Sequence, residues 1–180
     1  VTAKVVRVFG KWSGVVPGVL KLDGSGKQLT FEPSRPYFPH ELVTIHVSNS
    51  LKSTSNKPLV TGFFGAFLTT SSRGSRSFKL VKTIAMRRSG EGGIATYGIY
   101  AGDLDGDGSP DITAANEHSF DLRLFRNNGC GEFGPPTRIS APKQQVSPTT
   151  GADFNGDGVL DLASGNMRAK AMSVFLGDGK

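Results

Sequence analysis

The chain has 180 residues, enough for two small domains, and its 24 glycines and 10 prolines suit an all-β, turn-rich protein rather than a helical one. No apolar run approaches the roughly 18 residues of a membrane-spanning helix, and Cys130, the sole cysteine, excludes an internal disulfide. The net charge of +6 is uneven: residues 1–88 carry 14 Lys/Arg against 3 Asp/Glu (+11), and residues 89–180 carry 7 against 12 (−5).

Taken in chain order, the first candidate strand is Lys4-Val5-Val6-Arg7-Val8. Leu29-Thr30-Phe31 comes next and leads into a turn-rich stretch, Glu32–Pro36. Leu42–Ser48 then alternates, with Val43, Ile45 and Val47 on one face and Thr44, His46 and Ser48 on the other, the mark of a half-buried strand. Phe63–Thr70 is the last apolar run of this part. Strands separated by Gly/Pro/Ser turns predict a small β-sandwich over residues 1–70. The string LTFEPSRPYFPHELVTIHVSNS…FLTT resembles the bacterial Ig-like domains of S-layer and other surface proteins, which commonly read "p-g-e-x-v-t-v-x-v" at its centre. Members of that family carry a further strand ahead of the segment that here begins at Lys4. A sandwich short of one strand leaves an unpaired edge. Either the sequence starts late, Val1 being a processed or trimmed start with no signal peptide in view, or a neighbouring chain supplies the strand by β-augmentation.

Residues 71–77, Ser71-Ser72-Arg73-Gly74-Ser75-Arg76-Ser77, read as a linker. Arg73, Arg76, Lys79, Lys82, Arg87 and Arg88 form a basic cluster that would attract anionic polysaccharide or lipid headgroups. Its plainer reading is a solvated face. No nucleic-acid-reading motif accompanies it.

The second half carries two acidic turns, Asp103–Asp111 (DLDGDGSPD) and Asp153–Asp161 (DFNGDGVLD), 50 positions apart. Each places oxygen-bearing side chains at positions 1, 3, 5 and 9: Asp103, Asp105, Asp107 and Asp111, then Asp153, Asn155, Asp157 and Asp161. A hard cation such as Ca²⁺ takes six to eight oxygens at about 2.3–2.6 Å, and a tight loop can turn alternate side chains inward to supply most of them. The carbonyls of Ser109 and Val159 at position 7 would add one ligand each. Two Ca²⁺ sites are therefore expected. The helix–loop–helix calcium motif ends in Glu at position 12, but Ala114 and Ser164 stand there, so Asp111 and Asp161 would have to close the shell. The flanks, Ile94–Tyr100 and Ile112–Ala115, read as strands. Plain hairpin turns, Mg²⁺, which retains more water, and a catalytic carboxylate pair about 5–9 Å apart are the competing readings.

The repeat extends past the turns. Asn116 pairs with Asn166, Phe125 with Phe175 and Gly129 with Gly179 at the same offset. The first copy continues through a hairpin-type Asn127-Asn128-Gly129 turn and Phe133 to a strand at Thr137–Ser140. Phe78–Ile84 has the same phenylalanine-to-isoleucine spacing and reads as the last strand of an earlier unit. Periods of about 40–50 residues with several short strands suggest propeller blades or a β-solenoid. The pattern D-x-[DN]-G-D-G-x-x-D-[LI], followed by a hydrophobic strand and G-x-G-x-F, resembles the FG-GAP/VCBS repeats of integrin-like β-propellers and secreted bacterial proteins. Over residues 78–180 that resemblance implies two blades of about four strands, each holding Ca²⁺ in an inter-strand loop. Two blades would expose apolar faces that neighbours normally bury, so a partial propeller, completed by more chain or by association, is expected. Phe125, Phe133 and Phe175 are expected to fill space between layers.

His40, His46 and His118 are scattered and belong to no Ser/His/Asp or Cys/His arrangement; Trp12 and Tyr37 read as packing residues. The whole predicts a non-enzymatic, extracellular or cell-surface adhesion module whose expected partners are protein, polysaccharide or further copies of itself. The alternatives are a subunit of an extracellular filament or layer, and an accessory part of a polysaccharide-active enzyme.

Overall fold

The computed structural model describes residues 5–75, 77–141, 145–166 and 168–179; the expectations placed on Val1, Lys4, Arg76 and Lys180 lie outside them. The chain divides into two units, Val1–Ser72 and Arg73–Lys180. Among the described residues every regular element is a strand.

The first unit contains β1 (Val6–Gly10), β2 (Gly14–Val15), β3 (Gly18–Leu22), β4 (Leu29–Pro33), β5 (Leu42–Val47) and β6 (Phe63–Leu68). Four of them form an antiparallel sheet in the order β2-β1-β5-β6, while β3 and β4 make a separate hairpin. Side-chain alternation decides which face is covered. Val6, Val8 and Val43 are buried together, and Leu20, Leu29, Phe31, Tyr37, Ile45 and Val47 pack around them. Arg7 and His46, cross-strand partners on the opposite face, are exposed. The hairpin therefore forms the second layer of a small two-layer unit. Asp23 holds its turn: its Oδ1 accepts from Lys27 N and Gln28 N, both at 2.9 Å. The Ser25 hydroxyl bond, with these amides, lowers its pKa to about 2.

Two features depart from the sequence reading. β3 carries no alternation strong enough to declare it; only its pairing with β4 makes it a strand. β4 also runs on through Glu32 and Pro33, opposite Val19 and Gly18, where a proline at a strand end costs no ladder bond. On the side of β1 away from β5, β2 covers only Phe9 and Gly10. At the far edge of the sheet, β6 leaves Phe63, Phe64, Phe67 and Leu68 exposed, with His46 edge-on to Phe64 at 4.7 Å.

Glu41 is the polar centre of this unit and is fully buried. Its Oε1 accepts from Trp12 N (2.5 Å) and Ser13 N (2.6 Å), and its Oε2 from Ser13 Oγ (2.5 Å) and Phe38 N (2.9 Å). Its own N–H donates to Thr69 Oγ1 at 2.7 Å, and that hydroxyl donates to Phe38 O at 2.6 Å. One carboxylate thus ties the β1–β2 turn to the segment ahead of β5, and its backbone ties that segment to the end of β6. His40, beside it, has φ 59, a left-handed conformation that glycine adopts more readily than a residue with a Cβ. Burial foremost, and then the Glu41 charge, pushes the Tyr37 phenol up to about 12.

The second unit contains β7 (Thr96–Gly102), β8 (Asp111–Asn116), β9 (Asp121–Phe125), β10 (Thr137–Ser140), β11 (Val146–Ala152), β12 (Asp161–Asn166) and β13 (Ala171–Phe175). They form two antiparallel sheets, β10-β9-β8-β7 and β11-β12-β13. β7 and β11, β8 and β12, and β9 and β13 coincide after a shift of 50 residues, and β7 and β11 share an irregular register near their starts. β11 packs against β7 and β8, so the sheets meet along their first strands. They diverge around a cavity of about 480 Å³ lined by Leu124, Ile139, Leu162 and Phe175. This is the geometry of consecutive blades, four strands in the first and three described in the second. Phe125 is buried, and Phe133 and Phe175 are half-buried.

Phe78–Ile84 is not a strand, which corrects the expectation from its spacing. Its counterpart Thr137–Ser140 is a strand because it pairs with β9. Among the described residues Phe78–Ile84 has no strand partner, and Phe78, Leu80 and Val81 are exposed. From Lys82 onward the chain is held to the first sheet of this unit by side chains instead. Lys82 pairs with Glu132, Arg88 Nη2 donates to Pro136 O at 2.6 Å, and the buried Arg123 donates to Met86 O. Three members of the basic cluster, Lys82, Arg87 and Arg88, are thus engaged within the unit, Arg87 through Glu91 O at 2.8 Å.

Arg123 belongs to a network that the sequence did not announce. It pairs with Glu91 at 2.7 Å and with the fully buried Asp121 at 3.3 Å. Asp121 also accepts from Asn116 Nδ2 (3.1 Å), Ser119 Oγ (2.7 Å) and Arg138 Nε (2.6 Å). Burial is the largest influence on Asp121 and opposes ionisation, but the bonds from Ser119, Arg123 and Asn116 and the Arg123 charge outweigh it and leave the pKa lowered.

Candidate metal centre

The acidic turns join β7 to β8 and β11 to β12. Their shape arises from short side chains accepting hydrogen bonds from nearby backbone, the usual chemistry of Asp and Asn in turns. In the first, Gly108 N donates to Asp103 Oδ2 (3.2 Å), Asp107 N to Asp105 Oδ1 (3.2 Å) and Ser109 N to Asp107 Oδ1 (2.7 Å). In the second, Gly156 N and Asp157 N donate to Asp153 Oδ1 (2.6 and 3.1 Å) and Gly158 N to its Oδ2 (3.1 Å). Asp157 N also donates to Asn155 Oδ1 (2.9 Å), and Val159 N to Asp157 Oδ1 (2.8 Å). Gly106 and Gly156 have φ of 79 and 80, a backbone state that glycine adopts without a Cβ penalty.

The first turn brings Asp103, Asp105 and Asp107 together, with one carboxylate oxygen from each lying within 4.8 Å of the others. Two oxygens bound to one ion at about 2.3–2.6 Å lie no more than about 5 Å apart, so this trio fits a single hard cation. Asp153, Asn155 and Asp157 occupy the same three positions of the second turn. Ser109 and Val159, at position 7, each donate their N–H to the carboxylate at position 5.

Asp111 and Asp161, at position 9, are fully buried and brace the turns. Asp111 accepts from Leu104 N (3.1 Å) and from Asn127 N just beyond β9 (2.9 Å). Asp161 accepts from Phe154 N and from Gly177 N beyond β13, both at 2.8 Å. Burial raises the Asp111 pKa, and the charges of Asp105 and Asp107 add to it against those two amide bonds. The Val159 N–H and the Asn155 amide lower that of Asp157. Asn127, expected only as a turn residue, is buried and links this brace to the glycine-rich loop. Its side chain donates to Pro110 O (3.1 Å) and accepts from Gly129 N (3.1 Å) and Gly131 N (3.0 Å).

One participant escaped the sequence reading. Arg126 Nε lies 3.6 Å from Asp105 Oδ2, with the guanidinium half-exposed. Leu176 stands at the equivalent position of the second copy, and Asn155 at that of Asp105. In that turn Asn155 Nδ2 donates to Asp157 Oδ2 at 2.8 Å. Comparing the copies position by position was the signal that would have found the pair.

Antiparallel strands alternating with oxygen-rich turns at a constant interval define an all-β repeat unit with a candidate cation centre in its first turn. Residues 103–164, from the first turn through most of β12, match the family model described as FG-GAP-like repeat. No curated protein and no solved structure matches the chain.

Proposed function

We propose that the chain is a calcium-binding, non-enzymatic module of an extracellular or cell-surface adhesion protein. Ca²⁺ sits at Asp103, Asp105, Asp107 and Asp111, with the Ser109 carbonyl, and separately at Asp153, Asn155, Asp157 and Asp161, with the Val159 carbonyl. The observation that carries this reading is the convergence of three carboxylates at the β7–β8 turn, inside a segment that matches an FG-GAP-like repeat. Like charges so close oppose one another's ionisation, and a divalent ion supplies the compensating charge. The residues fix the turn between paired strands, and the bound ion locks it. The exposed sheet surface then presents a rigid face to a protein or polysaccharide. Among the described residues no helix is long and apolar enough to cross a membrane, which says nothing of strands.

Binding to the folded form alone stabilises it by RT ln(1 + [L]/Kd), about 1.4 kcal/mol per site when calcium is tenfold above Kd. For a unit of this size that corresponds to a rise in Tm of about 5–10 °C per site. Calorimetric melting in calcium and in EDTA will show that difference, and Asp107→Ala will reduce it by about half. Equal melting in both buffers refutes the reading.

The exposed Phe63, Phe64, Phe67 and Leu68 of β6 favour a second reading, in which neighbouring chains complete open sheet edges in a filament or layer. Light scattering in calcium will then show mass growing with concentration. A monomer throughout the micromolar range removes that reading and leaves the first intact.

A further inference from the structure

The two turns differ at one pair of linked positions. Asp105 and Arg126 of the first repeat become Asn155 and Leu176 of the second, each after the same shift of 50 residues. Counting side chains at positions 1, 3, 5 and 9, the first turn holds four carboxylates and the second three. With Arg126 included, both carry the same formal charge of −3. The added carboxylate and the added guanidinium are in contact, at 3.6 Å. Arg126 leaves the end of β9, where Phe125 is buried, so the strand aims the guanidinium towards the turn. Asp105 Oδ1 is engaged by Asp107 N, which leaves Oδ2 as the atom facing Arg126.

We infer that Arg126 is a resident counter-cation of the first turn, competing with Ca²⁺ for Asp105 and making that site weaker and less salt-sensitive than its four carboxylates alone would be. This rests on the calcium reading of the turns. In the absence of metal the guanidinium offsets part of the crowding among Asp103, Asp105 and Asp107. When a dication arrives it must displace that contact and share the turn with a like charge. The second turn has no such competitor at position 176 and one fewer carboxylate. Salt screens the repulsion from Arg126 as well as the attraction of the carboxylates, so calcium affinity at the first turn falls less steeply with ionic strength while Arg126 is present than after its removal.

Calcium titration by calorimetry tests this on the full chain carrying Asp157→Ala, so that the first turn dominates the heat. Arg126→Leu, which installs the second repeat's residue, is expected to tighten binding about three- to tenfold at low ionic strength, the scale of a partly exposed charge contact. At about 0.5 M salt, where the screening length is only a few ångströms, the gain shrinks to less than about twofold. Arg126→Lys keeps the charge and stays close to the parent, and Arg126→Gln serves if the leucine variant folds poorly. Asp105→Asn weakens binding, and in that background Arg126→Leu is expected to gain less than it does in the parent, a non-additive cycle expected of groups in contact. If Arg126→Leu and Arg126→Gln bind no more tightly than the parent while calcium still binds, the inference is overturned and the calcium reading survives. If neither the parent nor the unmutated chain binds calcium, both fall.

Discussion

Replacing Glu41 with alanine will destabilise the first unit by about 3–5 kcal/mol, the scale for removing one side of a buried charged network. Four donors converge on this carboxylate: the N–H groups of Trp12, Ser13 and Phe38 and the Ser13 hydroxyl. Alanine leaves all of them inside the unit without an acceptor, and each buried unsatisfied group costs about 1–3 kcal/mol before relaxation. Glu41→Gln will recover only part of the loss, because its amide nitrogen turns a second donor towards the donors that Oε2 now serves. Trp12 is the only tryptophan of the chain and donates directly to Glu41, so its fluorescence reports this unit selectively during urea unfolding. An alanine variant within about 1 kcal/mol of wild type, well under the loss expected for a broken buried network, would show that water substitutes for the carboxylate and that the site is not the unit's polar anchor.

Asp121→Ala will produce the second large effect, about 3 kcal/mol from the second unit. The substitution installs the residue that the second repeat has there, Ala171. The local cost is visible in that repeat: Asn166 Nδ2, the counterpart of the Asn116 amide that bonds Asp121, is buried without a hydrogen-bond partner among the described residues. In the first repeat the loss also leaves Arg123 buried with Glu91 and the Met86 carbonyl alone. The double variant Asp121→Ala/Arg123→Ser copies the second repeat at both positions and will cost less than the two single losses combined. The pH dependence has a definite sign. The Asp121 pKa in the folded chain lies below the ordinary 3.8, so its contribution is present in full above that value and is lost as pH falls through the lower, folded-state value. Wild type will therefore show an acid-unfolding limb below about pH 4 that the alanine variant lacks in part. Identical limbs in the two proteins would mean that Asp121 gains nothing from its partners.

The elements legible from the sequence were those whose physics is local or repeated. The β5 alternation and both acidic turns are written in contiguous residues. The shift of 50 places three pairs of strands in equivalent positions. What escaped depended on partners distant in sequence. β3 is a strand because β4 lies beside it, and Phe78–Ile84, with the same residue spacing as a real strand, is not one because it has no strand to pair with among the described residues. Glu41 lay within a recognisable pattern, but its donors come from Trp12, Ser13 and Phe38, and nothing in the string marks them as convergent. Asp121 and Arg123 read as ordinary strand charges until Met86, Glu91 and Arg138 are brought alongside. At the candidate centre the convergence of Asp103, Asp105 and Asp107 was legible from spacing. The roles of Asp111 and Asp161 as braces, and of Arg126 as a neighbouring charge, required the third strand of each sheet to be in place.

The seam between the two repeats turns on a residue with no side chain. A Cβ built on Gly151 of β11 would lie 2.3 Å from the hydroxyl of Tyr100 in β7, so the phenol rests directly on bare main chain. The tilt of the first repeat against the second is therefore set at that point by an aromatic spacer of fixed thickness. Even one added methyl group would pry the two sheets apart like a shim under a hinge.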